Sequence, residues 1–268
     1  MDMTQQPNHR KTALVTGASS GIGYELCKLF AQDGYNLVLV ARNASRLAQM
    51  ASELKDPLGS SPRIIARDLS NPMAPEEIFA ELEHDRFFID VLANNAGFGT
   101  YGFFAESNTV REEEMINLNI LSLVKLTRLF LPSMLRNRSG KILNVASTAA
   151  FQPGPLMAGY YASKAFVLSF SEALSNELRG TGVTATALCP GPTLTDFQKR
   201  AGIENTRLFG RGMTMDAATV ARIGYKALRE GKTTVIAGFQ NRLLRELTRI
   251  VPRSFAASIV RFIQERKT

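Results

Sequence analysis

Cysteine is scarce in this 268-residue chain, with Cys27 and Cys189 as its two thiols. Two thiols do not make a disulfide framework. Each lies in an apolar stretch and reads as a small core residue, which suits a reducing, cytoplasmic compartment. Histidine is as rare: His9 and His84 stand far apart, and no Cys/His/carboxylate group has metal-ligand spacing, so no metal site is expected. No apolar run approaches the ~18–20 residues of a membrane span. Residues 1–10 are polar, lack a hydrophobic signal core and read as a frayed tail. Basic and aromatic residues do not interleave as on a nucleic-acid platform, so no nucleic-acid partner is expected. Neither an internal repeat nor a low-complexity linker interrupts the chain, and residues 56–62 (DPLGSSP) read as a surface loop.

What is present is an ordinary globular composition, 45% apolar and 21% charged, at a length that suits one α/β domain. Short apolar runs at residues 13–16, 36–40, 63–66, 89–93, 140–145, 183–188 and 233–236 read as strands, most of them separated by amphipathic stretches of helical length. Alternating β and α units imply a doubly wound parallel sheet with helices on both faces. The longest helices are expected at about residues 115–137 and 157–179. The net charge of +8 is uneven: residues 239–268 hold seven Lys/Arg against two Glu, and the remainder is near balance.

Two local patterns carry chemistry. The first strand, KTALVT at residues 11–16, runs into Gly17-Ala18-Ser19-Ser20-Gly21-Ile22-Gly23 and then into a helix-like stretch. Glycines allow a tight turn with close ligand approach, and the helix N-terminus presents free N–H groups to a phosphate. The second pattern is Ser147 followed by Tyr160-Tyr161-Ala162-Ser163-Lys164. Residues four apart share a helix face, so Tyr160 stands beside Lys164. A phenol of ordinary pKa, roughly 10, is drawn down by a neighbouring ammonium and becomes a proton donor and acceptor for a carbonyl/alcohol pair. Tyr161, three residues before Lys164, meets the same geometric criterion, and spacing alone does not separate the two.

In family order and at family-like separations, the chain also carries Asp68-Leu69, Asn94-Asn95-Ala96-Gly97, Asn119 and Pro190-Gly191. Together with the two patterns above, these make residues 10–240 resemble the short-chain dehydrogenase/reductase family. The resemblance implies a single Rossmann-like α/β domain and an oxidoreductase. It implies that Tyr160, within Tyr-x-x-x-Lys, is the general acid or base, that Lys164 lowers its pKa and holds the nicotinamide ribose, and that Ser147 bonds the substrate oxygen. Asn119 would hold a water that links Lys164 to solvent, and its interval to Ser147 favours it over Asn117. Gly17, Ser19, Ser20, Gly21, Ile22 and Gly23 would cradle the pyrophosphate. Asp68, with Leu69, would meet the adenine, while Asn94, Ala96 and Gly97 line the adenosine ribose and Asn95 ties strands together. Pro190, Gly191, Thr193 and Thr195 would hold the carboxamide end. At the tip of the second strand Ala41-Arg42 stands where an NAD enzyme places an acid. No carboxylate is there to repel a 2′-phosphate and a guanidinium is there to grip one, so the expected cofactor is NADP(H). Ser20 stands where some NADP-preferring relatives carry a second basic residue.

Phe98, Tyr101, Phe103, Phe104, Phe151, Pro153, Leu156 and Met157 are expected to rim the site, with residues 196–215 as a lid, around a small apolar carbonyl or alcohol substrate. The division expected is a tail at 1–10, a catalytic domain at 11–238 and a basic amphipathic helical extension at 239–268. The apolar faces of that extension are expected to pack on the enzyme body or a neighbouring subunit rather than on a membrane. By resemblance the two long helices pair across a two-fold axis, giving a homodimer or homotetramer. A non-catalytic dinucleotide-binding regulator and a membrane-surface protein are the alternative readings of the same fold.

Overall fold

The computed structural model describes residues 10–54, 61–204, 206–207 and 214–265. Residues 1–9 of the expected tail, 56–60 of the expected loop, positions 205 and 208–213 of the expected lid, and residues 266–268 lie outside the described residues.

The strand β1 (Thr12–Thr16) is buried along its whole length. Its side chains alternate between faces, as a pleat requires: Ala13 and Val15 enter one core, and Leu14 enters the other. The next strand, β2 (Asn36–Ala41), repeats this with Leu37 and Leu39 on one side and Val38 and Val40 on the other. A strand covered on both faces reads as a continuous apolar run. The remaining strands are β3 (Arg63–Ala66), β4 (Val91–Asn94), β5 (Gly140–Val145), β6 (Val183–Cys189), the short pair β7 (Thr193–Leu194) and β8 (Met215–Asp216), and β9 (Thr234–Ile236). Seven of them form one parallel sheet in the order β3-β2-β1-β4-β5-β6-β9, while β7 pairs with β8 apart from it. The order reverses between β1 and β4, which opens a crevice at their carboxyl ends.

Among the described residues the helices are α1 (Gly21–Gln32), α2 (Ala44–Glu53), α3 (Ala74–His84), α4 (Thr109–Ile116), α5 (Ser122–Arg136), α6 (Ala158–Glu177), α7 (Phe197–Ala201), α8 (Ala217–Arg229), α9 (Phe239–Ile250) and α10 (Arg253–Gln264). One core is filled from α1, α2 and α8 through Leu26, Phe30, Leu47, Met50, Val220 and Leu228. The opposite core is filled from α3, α5 and α6 through Ile78, Leu82, Leu126, Phe130, Met134 and Leu174.

The first long helix starts earlier than expected. The Asn108 side chain accepts the Arg111 N–H at 3.0 Å and caps α4, and α4 runs through a π-helical turn (Asn117–Leu121) into α5. Taken as one helix, Thr109–Arg136 is long and apolar enough to cross a bilayer by length and composition, contrary to the expectation that no such segment exists. Leu126, Phe130 and Met134 are buried in the second core, so that apolar face is the face a core helix needs.

The C-terminal helices touch the body of the protein, Gln264 of α10 donating to Tyr161, but bury little. No residue of α9 is fully buried, and only Ala256 and Gln264 of α10 are. The two helices instead wall the crevice with one side and leave the other in solvent.

Candidate active site

A cleft of about 820 Å³ opens over the carboxyl ends of the central strands. One wall holds the turn from β1 into α1. Gly17 and Gly21 have φ of +63° and +56°, a region that favours glycine. A Cβ on Gly21 would stand 2.8 Å from Thr195 Cγ2, so the turn closely approaches the chain just after β7. Gly17, Ser19, Ser20, Gly21 and Ile22 line the cleft. Gly23 does not. A Cβ there would lie 2.4 Å from both Gly17 O and Asn95 Nδ2, so this glycine seats the helix on the turn.

The wall after β4 is made by Asn95, Ala96, Gly97 and Phe98. Asn95 Nδ2 donates to Thr16 O at 2.9 Å and to Gly17 O at 3.2 Å, while Thr16 Oγ1 accepts from Asn95 N and Ala96 N. Asn95 therefore ties the two strand ends together. Asn94 corrects the expectation placed on it. Its buried side chain points away from the cleft and donates to Asn144 Oδ1 at 2.9 Å and Thr127 Oγ1 at 3.2 Å.

Ser147, Tyr160 and Lys164 come together in the cleft. Ser147 lies just past β5 and caps the short 3-10 turn Thr148–Phe151, its Oγ accepting from Ala149 N at 3.1 Å. Tyr160 and Lys164 project from the first turns of α6. Burial pushes the Tyr160 phenol above its ordinary value, with the neighbouring Ser147 hydroxyl opposing the shift. Lys164 Nζ donates to Val145 O at 2.8 Å and lies 5.8 Å from the Tyr160 ring centroid. Burial pulls the ammonium down to about 8. Lys164 was expected to lower the Tyr160 pKa. In this arrangement desolvation is the largest influence on the phenol, and the ammonium donates to a backbone carbonyl.

Tyr161 is distinguished by its surroundings. It is buried, its hydroxyl accepts from Gln264 Nε2 of α10, and burial pushes its pKa up to about 12. Asn119 is the buried asparagine of the π-helical turn. Its Oδ1 accepts from Phe98 N at 3.1 Å, and its Nδ2 donates to Phe98 O at 2.9 Å and Ser163 Oγ at 3.0 Å. It does not line the cleft; it fixes the loop behind Gly97 to α6, and a Cβ on Gly97 would stand 3.4 Å from Lys164 Nζ.

The far end of the cleft is basic. Arg42, Arg46, Arg67 and Arg200 line it with Asp68 and Leu69. Arg42 pairs with Asp68 at 3.7 Å, both side chains being about half exposed. Arg46 Nε donates to Ser19 O at 3.5 Å, and Arg200 donates to Ser20 Oγ at 2.7 Å. The sequence reading missed Arg46 and Arg200. The first projects back from a helix onto the glycine turn, and the second comes from α7, 180 residues away from Ser20.

At the opposite end are Pro190, Gly191, Thr193 and Thr195. Gln198 braces this turn, donating to Thr193 O at 2.7 Å and accepting from Thr195 N at 3.1 Å. Of the expected rim, Phe98 and Met157 line the cleft, whereas Phe103 and Phe104 are exposed on the surface. Leu244, Leu247, Val251, Ile259, Val260 and Ile263 from the C-terminal helices complete an apolar wall. Glycines packed too closely for side chains, a basic far end and backbone loops at the near end fit a phosphorylated dinucleotide.

A family model described as short chain dehydrogenase matches residues 11–205. The chain is 33% identical over 250 residues to the ketoacyl reductase HetN of Nostoc sp., covering 90% of this chain and 83% of the relative. It is 39% identical over 179 residues to the NADP-dependent 3-hydroxy acid dehydrogenase YdfG of Escherichia coli, covering 66% and 71%. A short-chain dehydrogenase from Sphingobium yanoikuyae, solved in complex with NADPH, superposes with a TM-score of 0.79 at 30% identity, covering 91% of this chain and 97% of that one.

Proposed function

The chain belongs to the short-chain dehydrogenase family, and from that membership we propose that it is an NADP(H)-dependent oxidoreductase interconverting an apolar ketone or aldehyde and its alcohol. The observation that carries this reading is the convergence of Ser147, Tyr160 and Lys164 inside a cleft whose two ends suit the two halves of a dinucleotide. Arg42 and Arg46 would hold the 2′-phosphate, Asp68 and Leu69 the adenine, Gly17 to Ile22 the pyrophosphate, and Pro190, Gly191, Thr193 and Thr195 the carboxamide. When bound, the cofactor supplies or accepts the hydride. Two relatives named for NADPH or NADP support the choice of cofactor.

The chain's own work is with the proton and the oxygen. Ser147 Oγ, beside Tyr160 in the cleft, would donate to the substrate oxygen as charge develops there. Tyr160 would deliver its phenolic proton to that oxygen in reduction and recover it in oxidation. A phenol raised by burial is fully protonated at neutral pH, the form a donor needs. Lys164, with its lowered pKa, would resupply that proton and hold ribose hydroxyls, while Asn119 positions the loop and helix that frame it. The apolar wall from α9 and α10 excludes water from the substrate end and supports a bulky apolar substrate. Cys27 and Cys189, both free and buried, suit a cytoplasmic setting.

The test is a panel of apolar ketones, aldehydes and 3-oxoacyl compounds followed by loss of reduced cofactor. NADPH should sustain turnover with at least one bulky member, and NADH should do so far more weakly. Turnover with NADH alone, or with neither cofactor across the panel, would refute the reading.

A further inference from the structure

One side of α9 and α10 walls the cleft, and the other carries large apolar side chains in solvent. On α9, Phe239, Leu243, Leu247 and Ile250 fall on one helical face and are 78, 55, 50 and 83% exposed. On α10, Phe255, Ile259 and Phe262 repeat the pattern at 58, 44 and 60%. The loop after β4 adds Phe103 and Phe104, and the Arg261 guanidinium lies 4.8 Å over the Phe103 ring, joining that loop to α10. Leu247 and Ile259 belong both to these stripes and to the cleft lining, so the mouth of the cleft opens within the apolar surface. An apolar surface of this extent marks an interaction site.

Charge selects the partner. Residues 239–265 contain five arginines and two glutamates. Glu246 is engaged by Arg245 and Arg249, and Glu265 by Arg207 and Arg261. Arg242, Arg249 and Arg253 are exposed. A second copy docked here about a two-fold axis would bring two arginine-rich surfaces together, which like-charge repulsion opposes. An anionic lipid surface complements both features at once: apolar side chains enter the headgroup boundary and arginines meet phosphates. We propose that α9 and α10 dock the protein on an anionic bilayer, with the mouth of the cleft turned toward the lipid.

Sedimentation of the full-length protein with vesicles tests this without cofactor or substrate, so the result is independent of the catalytic reading. The protein should pellet with vesicles of phosphatidylcholine and phosphatidylglycerol in equal parts, be released by high salt, and pellet poorly with phosphatidylcholine alone. Phe239 and Ile250 do not line the cleft, so the Phe239→Ser/Ile250→Ser protein should keep its circular dichroism spectrum and melting temperature while losing vesicle binding. Arg242→Ser/Arg253→Ser should weaken partition on the order of thirtyfold, about fivefold per cation. The proposal is overturned if the wild type stays in the supernatant with anionic vesicles, or if the Phe239→Ser/Ile250→Ser protein binds them equally well. It is also overturned if light scattering without lipid shows the wild type self-associating through this face and the same variant not doing so.

Discussion

Lys164 is an ammonium with one carbonyl partner in a dry place, and its pH behaviour follows from that. Burial lowers it to about 8 from an ordinary 10.5. Between those values the unfolded chain holds a proton that the folded chain has released, so the group's contribution to stability is present above 10.5 and is lost as pH falls through about 8. The melting temperature of Lys164→Met should therefore exceed that of the cofactor-free wild type most at pH 7, with the gap closing by pH 10. A constant gap across that range would show that the ammonium is not depressed. At the other end of the cleft, Arg42→Ala should weaken NADPH roughly ten- to a hundredfold, the loss of one charge-assisted contact, and leave NADH nearly unaffected. Equal losses for both cofactors by titration would remove Arg42 from the phosphate site. Arg42 was legible in the sequence because it sits at the tip of an apolar strand, and Ser147, Tyr160 and Lys164 because their spacing is local. Arg46 and Arg200 were not, since nothing in their neighbours points to the glycine turn. Asn94 was misplaced by strand register. The apolar run suggested an end at residue 93, whereas β4 includes Asn94 in register with Asn144, and one residue of pleat turns a side chain to the other face.

The turn between β1 and α1 works as an element because it is thin. Gly23 has backbone and side-chain atoms within 2.4 Å of where a Cβ would sit, and Gly17 O cannot move without unpairing Asn95. Gly23→Ala should cost about 1–3 kcal/mol, as overpacking does, and weaken NADPH binding although residue 23 does not face the cleft. Unchanged thermal unfolding together with unchanged cofactor titration would contradict this packing. The C-terminal helices are an element of a different kind. They contribute two fully buried residues, Ala256 and Gln264, so their hold on the body is slight next to that of α5 or α6. Gln264 donates to Tyr161 while its own Oε1 is buried without a partner. Their amphipathicity was visible in the sequence. Which face met the protein was not, because both faces are apolar enough to cover something, and contacts such as Gln264 with Tyr161 span 103 residues.

The whole molecule presents a second apolar surface away from the cleft. Ile116, Leu121, Leu135 and Phe166 along α4, the π-helical turn, α5 and α6 are 37–44% exposed, and Phe166 stacks on Phe170 at 6.0 Å between centroids. We propose that this face closes a two-fold dimer or a tetramer. Phe166→Asp should shift the protein toward monomer by light scattering, and a wild type that is monomeric at micromolar concentration would exclude the assembly. The sheet, both cores and the cleft serve one arrangement, in which Tyr160 and Tyr161 both border the cleft, Tyr160 with Ser147 and Lys164, and the Tyr161 hydroxyl bonded to Gln264 of α10. The most direct measurement is steady-state turnover of Tyr160→Phe and Tyr161→Phe at saturating NADPH with the best carbonyl substrate of the panel, NADPH binding being checked in each. Tyr160→Phe should lose about 10²–10⁴-fold of turnover while binding NADPH as the wild type does, and Tyr161→Phe should stay within a few-fold. Near wild-type turnover in Tyr160→Phe, or its loss in Tyr161→Phe instead, would contradict the assignment of Tyr160 as the proton donor.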